Sequence, residues 1–170
     1  ETLSARTGFE FVLAGVADSR RSLLSYDGLE ASRALAFFDD EAVERDEESL
    51  FLWMRAHPFD DLVVLDVTAS TPLAQQYLDF ASHGFHVISA NKVAGASDSQ
   101  TWRQIRDAFT KTGRHWLYNA TVGAGLPINY TVRDLRDSGD TILAISGIFS
   151  GTLSWLFLQF DGTDRKSTRL

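Results

Sequence analysis

The sequence predicts an α/β fold: a parallel sheet with helices between its strands, followed by the start of an α+β domain. Two observations predict it. Short β-rich apolar runs alternate with helical stretches, the pattern of βαβ units. The polar loops at Asp18, Thr68, Asn91 and Asn119 each follow such a run, at the strand carboxyl ends where sheets of this kind bind ligands.

Taken in order, Phe9-Glu-Phe-Val-Leu-Ala-Gly-Val16 reads as a buried strand that ends in the polar loop Ala17-Asp-Ser-Arg-Arg21. Residues 29–57 are helical in character, with the acidic stretch Asp39 to Glu48 as a solvated loop and helix start. Leu50, Trp53 and Met54 stand at helical spacing as core, and His57-Pro58 stops that helix. Leu62 to Val67 is a second strand. Pro72 then sits in the first turn of a helix whose inner face is Leu73, Tyr77, Leu78 and Ala81, ending at His83-Gly84. Phe85 to Ser89 is a third strand, leading into Ala90-Asn91-Lys92. Ser99 to Thr112 is a helix with Trp102, Ile105 and Phe109 inward, closed by Gly113, and His115 to Tyr118 is a fourth strand. From residue 120 the texture changes. A Gly-rich turn, Ala120 to Pro127, precedes a helix at Ile128 to Leu135, a strand at Thr141 to Phe149, and an aromatic helix at Leu153 to Phe160.

Composition narrows the function classes. With 44% hydrophobic and 23% charged residues in 170, the chain has material for one domain and a fraction. It contains no apolar run of the about 18 residues that a membrane span requires. The absence of cysteine excludes disulfides and thiolate chemistry and fits a cytoplasmic protein. A net charge of −7 argues against a nucleic-acid partner, which calls for basic stripes. His57, His83, His86 and His115 lack metal-ligand spacing and read as loop and edge residues. The last seven residues, Asp164 to Leu170, break from what precedes them. They resemble a translated sequencing adapter and are excluded from fold reasoning.

Five segments carry candidate chemistry. In dinucleotide folds an acid at the position of Asp18 bonds ribose hydroxyls, while a nearby Arg favours a 2′-phosphate. Arg20 and Arg21 therefore lean the reading to NADP over NAD, against an ordinary polar loop. The Gly-rich phosphate loop expected before this strand is absent, so either the fold differs or the chain starts after it. The missing initiator Met favours the second. Thr68, Ala69 and Ser70 offer hydroxyls and N–H groups to ribose, phosphate or carboxamide, with helix capping as the plain alternative, and Asp66 is placed to orient this loop. Lys92 ends the third strand. Beside a cofactor its ammonium would steady a carbonyl oxygen or the alkoxide made from it; the plain alternative is a surface lysine. The Asn119 to Pro127 turn has carbonyls for a hard cation, or is a hinge, and Ser150-Gly151-Thr152 caps a helix or meets a substrate carboxylate. The expectation is that residue 92 projects into the crevice shared by the turns near residues 18 and 68.

Val64-Leu-Asp-Val-Thr-Ala-Ser70, Val87-Ile-Ser-Ala-Asn-Lys92, Ala120-Thr-Val-Gly-Ala-Gly-Leu-Pro-Ile128 and Gly147-Ile-Phe-Ser-Gly-Thr-Leu-Ser154 together resemble homoserine dehydrogenase in order and spacing, from about Phe9 to Gly162. With His83-Gly-Phe-His86 and Trp116-Leu-Tyr-Asn119 the likeness is to the dehydrogenase half of bacterial bifunctional aspartokinase/homoserine dehydrogenases of the methionine branch.

The resemblance implies a Rossmann-like parallel sheet lacking its first strand and Gly-rich loop. It implies a partial NAD(P)-binding domain at 1–119 and the start of a substrate/dimerisation domain at 120–163. It implies reduction of L-aspartate 4-semialdehyde to L-homoserine with NAD(P)H, and the reverse, in threonine and methionine biosynthesis. An aspartokinase domain is expected upstream in the same chain, and a homo-oligomer in the parent. By resemblance, Ser19 and Arg20 fall at the adenosine-phosphate end of the cofactor, Thr68 and Ser70 along its chain, Lys92 near nicotinamide and substrate, and Thr152 on the substrate side. In many relatives the turn after the fourth strand begins with Glu and binds sodium. Its counterparts here are Asn119, Val122, Ala124 and Leu126, with Asn119 in place of the charged ligand. The family's downstream Glu, Asp and Lys are expected beyond Gly162, so the chain alone is expected to be inactive.

Overall fold

In the computed structural model residues 3–160 are described, so the reading of Asp164 to Leu170 as an artefact lies outside the described residues. The chain forms two compact units, Glu1–Leu62 and Val63–Leu170.

The first unit contains α1 (Leu3–Thr7), β1 (Leu13–Ala17), β2 (Arg21–Leu29), α2 (Ala34–Glu41), β3 (Val43–Glu44) and α3 (Glu47–Arg55). Its sheet is antiparallel throughout, in the order β1-β2-β3. This corrects the expectation of a βαβ unit and of helix from residue 29. The cause is the Asp18 side chain, whose Oδ1 accepts the N–H groups of Arg20 and Arg21 at 2.7 Å each, while the Asp18 N–H donates to the Arg21 carbonyl at 3.0 Å. An Asp that bonds its own backbone ahead of it reverses the chain, so β1 and β2 form a hairpin. Ser22, Ser25 and Asp27 dilute the β pattern of the second strand, so the sequence does not signal it. Nor is Phe9 to Val16 a buried strand: β1 starts at Leu13, and Phe9 and Phe11 are exposed. Ala34, Phe38 and Met54 are buried, and Trp53 packs on Tyr26 with ring centroids 5.4 Å apart. The acidic stretch ends α2, passes through β3 and opens α3. There Asp46 accepts the Ser49 N–H at 2.8 Å as an N-cap.

The second unit contains β4 (Val63–Asp66), α4 (Thr71–Gln75), α5 (Tyr77–Ser82), β5 (His86–Ser89), α6 (Ser99–Thr112), β6 (Trp116–Leu117), a 3-10 turn (Asn119–Thr121), α7 (Ile128–Asp137) and α8 (Gly151–Gln159). Here the expected parallel sheet forms, in the order β4-β5-β6, with Val63 beside His86 and Asp66 beside Ser89. The helix after Pro72 is broken at Gln76 into α4 and α5. Its buried stripe is Ala74, Tyr77, Phe80 and Ala81, and Leu78, expected inward, is 41% exposed. α6 has the expected bounds. Asp98 accepts the Gln100 and Thr101 N–H groups at its start, and Gly113 closes it in the left-handed conformation at φ +68°. Tyr77, Phe80, Phe85, Val87, Ile105, Phe109 and Trp116 form the core, with the Tyr77 and Trp116 rings edge to face at 5.9 Å. Val63, Leu65, Val67 and Ile88, which point to the other face of the sheet, are exposed.

Thr141 to Phe149 is not a strand. A strand requires a neighbour for its N–H and C=O groups, and among the described residues none pairs with this segment. Leu143 in it is 92% exposed.

Candidate functional site

Because β4 and β5 are parallel and in register, their carboxyl-end loops leave the same edge of the sheet side by side. The carboxylate of Asp66, the last residue of β4, is the junction between them. It is 1% exposed, and in an interior such a group must be hydrogen-bonded to be tolerated. Its Oδ1 accepts the Thr68 N–H at 2.9 Å and the Thr68 hydroxyl at 2.8 Å. Its Oδ2 accepts the Tyr77 hydroxyl at 2.7 Å and the Asn91 amide at 3.0 Å. Asp66 thus orients the Thr68 loop, as the sequence suggested. Tyr77 is fully buried, and burial, then the hydrogen bond to Asp66 and its charge, push the phenol well above its ordinary value, so it stays a donor. Ser89 bears on the same phenol oxygen and accepts the Trp116 indole N–H at 3.3 Å, which extends the network to β6.

The network leaves particular groups over. The Thr68 hydroxyl is committed, since it also accepts the Ser70 N–H at 3.0 Å. Ser70 caps α4, accepting the Leu73 N–H at 3.2 Å, so capping describes what the Ser70 hydroxyl does. The Ala69 N–H has no acceptor among the described residues and would suit a phosphate or carboxamide oxygen. Lys92 is exposed, and its ammonium has no ion-pair partner among the described residues. A shallow cavity of about 310 Å³ opens on the bare face of the sheet, lined by Leu65, Ile88, Ala90, Leu117, Asn119 and Tyr130 among others. The structure therefore brings the Thr68–Ser70 loop alongside the loop that carries Lys92, with Asn91 tying the two. The sequence places Asn91 in a ligand-side loop and gives it no role of its own. The one local signal is a carboxamide two residues after an apolar strand.

The Asp18 turn belongs to the first unit. The N–H groups of Arg20 and then Arg21 hold the Asp18 carboxyl below its ordinary value, and Arg45 donates to the Asp18 carbonyl at 2.7 Å. Asp18 is thus a turn-forming residue first. Arg21 is committed to α2, lying over the Phe38 ring at 4.8 Å and 3.7 Å from Asp39. Ser19 and Arg20 are exposed, and the Arg20 guanidinium has no hydrogen-bond or ion-pair partner among the described residues.

In the last part of the chain, Thr152 lies exposed in the first turn of α8, whose cap is Ser150, accepting the Leu153 N–H at 3.2 Å. The Asn119 carbonyl accepts the Val122 N–H at 3.3 Å, the Leu126 carbonyl accepts the Ile128 N–H at 2.9 Å, and Ala124 sits at φ 51°. A turn without a carboxylate, with two of its four carbonyls already engaged, is a poor match to a hard cation. Among the described residues no cluster of His, Asp and Glu could hold a metal, and no helix is long and apolar enough to cross a membrane.

A parallel sheet whose buried polar network collects two loops at the carboxyl edge has the architecture of an α/β domain that binds ligands at that edge. Comparison with known proteins makes the class specific. The family model for the homoserine dehydrogenase NAD-binding domain matches residues 1–119, and the chain belongs to that family. It is 89% identical to the Escherichia coli bifunctional aspartokinase/homoserine dehydrogenase 2 over 95% of its own length, and 40% identical to the chloroplastic bifunctional enzyme 1 of Arabidopsis thaliana over 88%. It spans 20% and 16% of those two proteins. Among solved structures, a Candida auris protein of unknown function matches at TM-score 0.76 and 30% identity, covering 87% of this chain and 42% of that one. Thermoplasma acidophilum homoserine dehydrogenase shares the fold at TM-score 0.55 and 23% identity, covering 77% and 42%.

Proposed function

We propose that the full-length protein carrying this chain interconverts L-aspartate 4-semialdehyde and L-homoserine, and that Lys92 is the group that handles the substrate oxygen. The observation that supports this is an exposed lysine with no ion-pair partner among the described residues, in the loop that the parallel register sets beside the Thr68–Ser70 loop on the carboxyl edge of the sheet. The nicotinamide cofactor, when bound, supplies the hydride that reduces the aldehyde carbon. Lys92 holds the carbonyl oxygen as negative charge develops there and gives it a proton, which leaves a neutral amine for solvent to reprotonate. In the reverse direction that amine takes the hydroxyl proton. The Ala69 N–H binds along the cofactor chain, with Thr68 and Ser70 shaping its loop. Ser19 and Arg20 take the adenosine end, where a guanidinium favours the 2′-phosphate of NADP. Thr152 meets the substrate.

Residues 1–119 act as the cofactor domain and 120–163 begin the substrate and dimerisation domain of a homo-oligomer. The names of the bifunctional relatives support an aspartokinase domain in the same protein. No step is assigned to sodium. The test is Lys92→Ala in the full-length protein. kcat for aldehyde reduction is expected to fall tenfold or more, and unchanged turnover at saturating substrate would remove Lys92 from the chemistry.

A further inference from the structure

We infer that Asn91 is a positioning residue for Lys92: it ties the loop after β5 to the loop after β4 and so fixes the stretch of backbone from which the ammonium projects. This rests on the reading of Lys92 given above. Asn91 is 1% exposed, and both ends of its amide are occupied. Nδ2 donates to Asp66 Oδ2 at 3.0 Å and to the Ser70 carbonyl at 2.9 Å, while Oδ1 accepts the Val93 N–H at 3.0 Å. The last bond closes a turn around Lys92 itself. The Lys92 carbonyl accepts the Ala96 N–H at 2.8 Å, and the Asn91 N–H bonds the Asp66 carbonyl at 3.3 Å, so the main chain is held on both sides of a side chain that has no partner among the described residues.

The chemistry of the three contacts selects Asn. An Asp could accept from Val93 but would set a second carboxylate against Asp66. A Ser could do the same turn work but is too short to reach Ser70 as well. If Oδ1 were all that mattered, a turn residue would suffice. The two Nδ2 bonds go instead to the residues that shape the cofactor-side loop. A displacement of about 1 Å at a reacting group can cost on the order of 10²-fold in rate, which is the scale on which releasing this tether acts.

The experiment is a double-mutant cycle on the full-length protein: Asn91→Ala, Lys92→Ala and the double variant, each measured for kcat of aldehyde reduction with NADPH and for thermal unfolding. Asn91→Ala is expected to lower kcat tenfold or more. In the Lys92→Ala background the same change is expected to cost less than twofold, because a residue acting through Lys92 has nothing left to act on. Equal losses in both backgrounds, or no loss at all, overturn the inference. Should Asn91→Ala fail to fold, Asn91→Ser carries the same cycle with the same expected non-additivity, since it keeps an acceptor for Val93. The two readings fail separately. A wild-type rate in Lys92→Ala removes the role of Lys92, whereas a slow Lys92→Ala with a fully active Asn91→Ala removes only that of Asn91.

Discussion

Replacing Tyr77 by Phe deletes one oxygen from the buried junction and little else. The ring stays packed against Trp116 and Phe80, so no cavity opens and the loss is the hydrogen bond to Asp66. A hydrogen bond to a charged acceptor contributes about 1.5–3 kcal/mol. The Asp66 carboxylate keeps three other donors, from Thr68 and Asn91, so it is not orphaned and the lower part of that range applies. About 1.5 kcal/mol corresponds to roughly tenfold in an opening equilibrium. Amide hydrogen exchange of the full-length protein, read on peptides spanning β4 and β5, should therefore accelerate about tenfold in Tyr77→Phe. Peptides from the first unit serve as the unaffected control. The raised phenol adds a second signature. Above its ordinary value of 10.0 the unfolded chain ionises at Tyr77 while the folded one does not, so this side chain's contribution is whole below pH 10 and declines above it. Protection in the wild type should fall more steeply with alkaline pH than in Tyr77→Phe. Exchange in β4 and β5 that is unchanged within threefold would refute the claim that this network holds the two loops.

Two further outcomes follow from local geometry. Gly113→Ala places a side chain at φ +68° with open space around it, so the cost is purely conformational, about 1–2 kcal/mol. Exchange at the end of α6 should speed up roughly 5- to 30-fold, and an unaffected α6 would contradict the assigned cap. Asp98 is held below its ordinary carboxylate value by the Thr101 hydroxyl first, then by the Thr101 and Gln100 N–H groups. Its stabilisation is present above the ordinary value of 3.8 and is lost as pH falls through the lower folded value. α6 protection should thus drop on acidification in the wild type and show less of that dependence in Asp98→Ala.

What the sequence determined by itself lies within short reach along the chain. α6, its Gly113 stop and the three parallel strands were legible because periodicity, capping and left-handed closure each involve residues a few positions apart. The loops at Thr68 and Lys92 were legible as strand ends for the same reason. Where the local pattern was weak the reading failed. Ser22 to Gly28 hid a strand, and Thr141 to Phe149 looked like one because apolar β-formers say nothing about whether a neighbouring strand is there to pair with. Tertiary structure alone decided the junction at Asp66. Asn91 is 25 residues from Asp66 and 21 from Ser70, and only the parallel register that sets Asp66 beside Ser89 brings that amide within hydrogen-bond distance of both. A strand's own residues dictate that it can form a strand, not that it will. The identity of the side chain waiting beyond its end depends on which strand lies alongside and in what register.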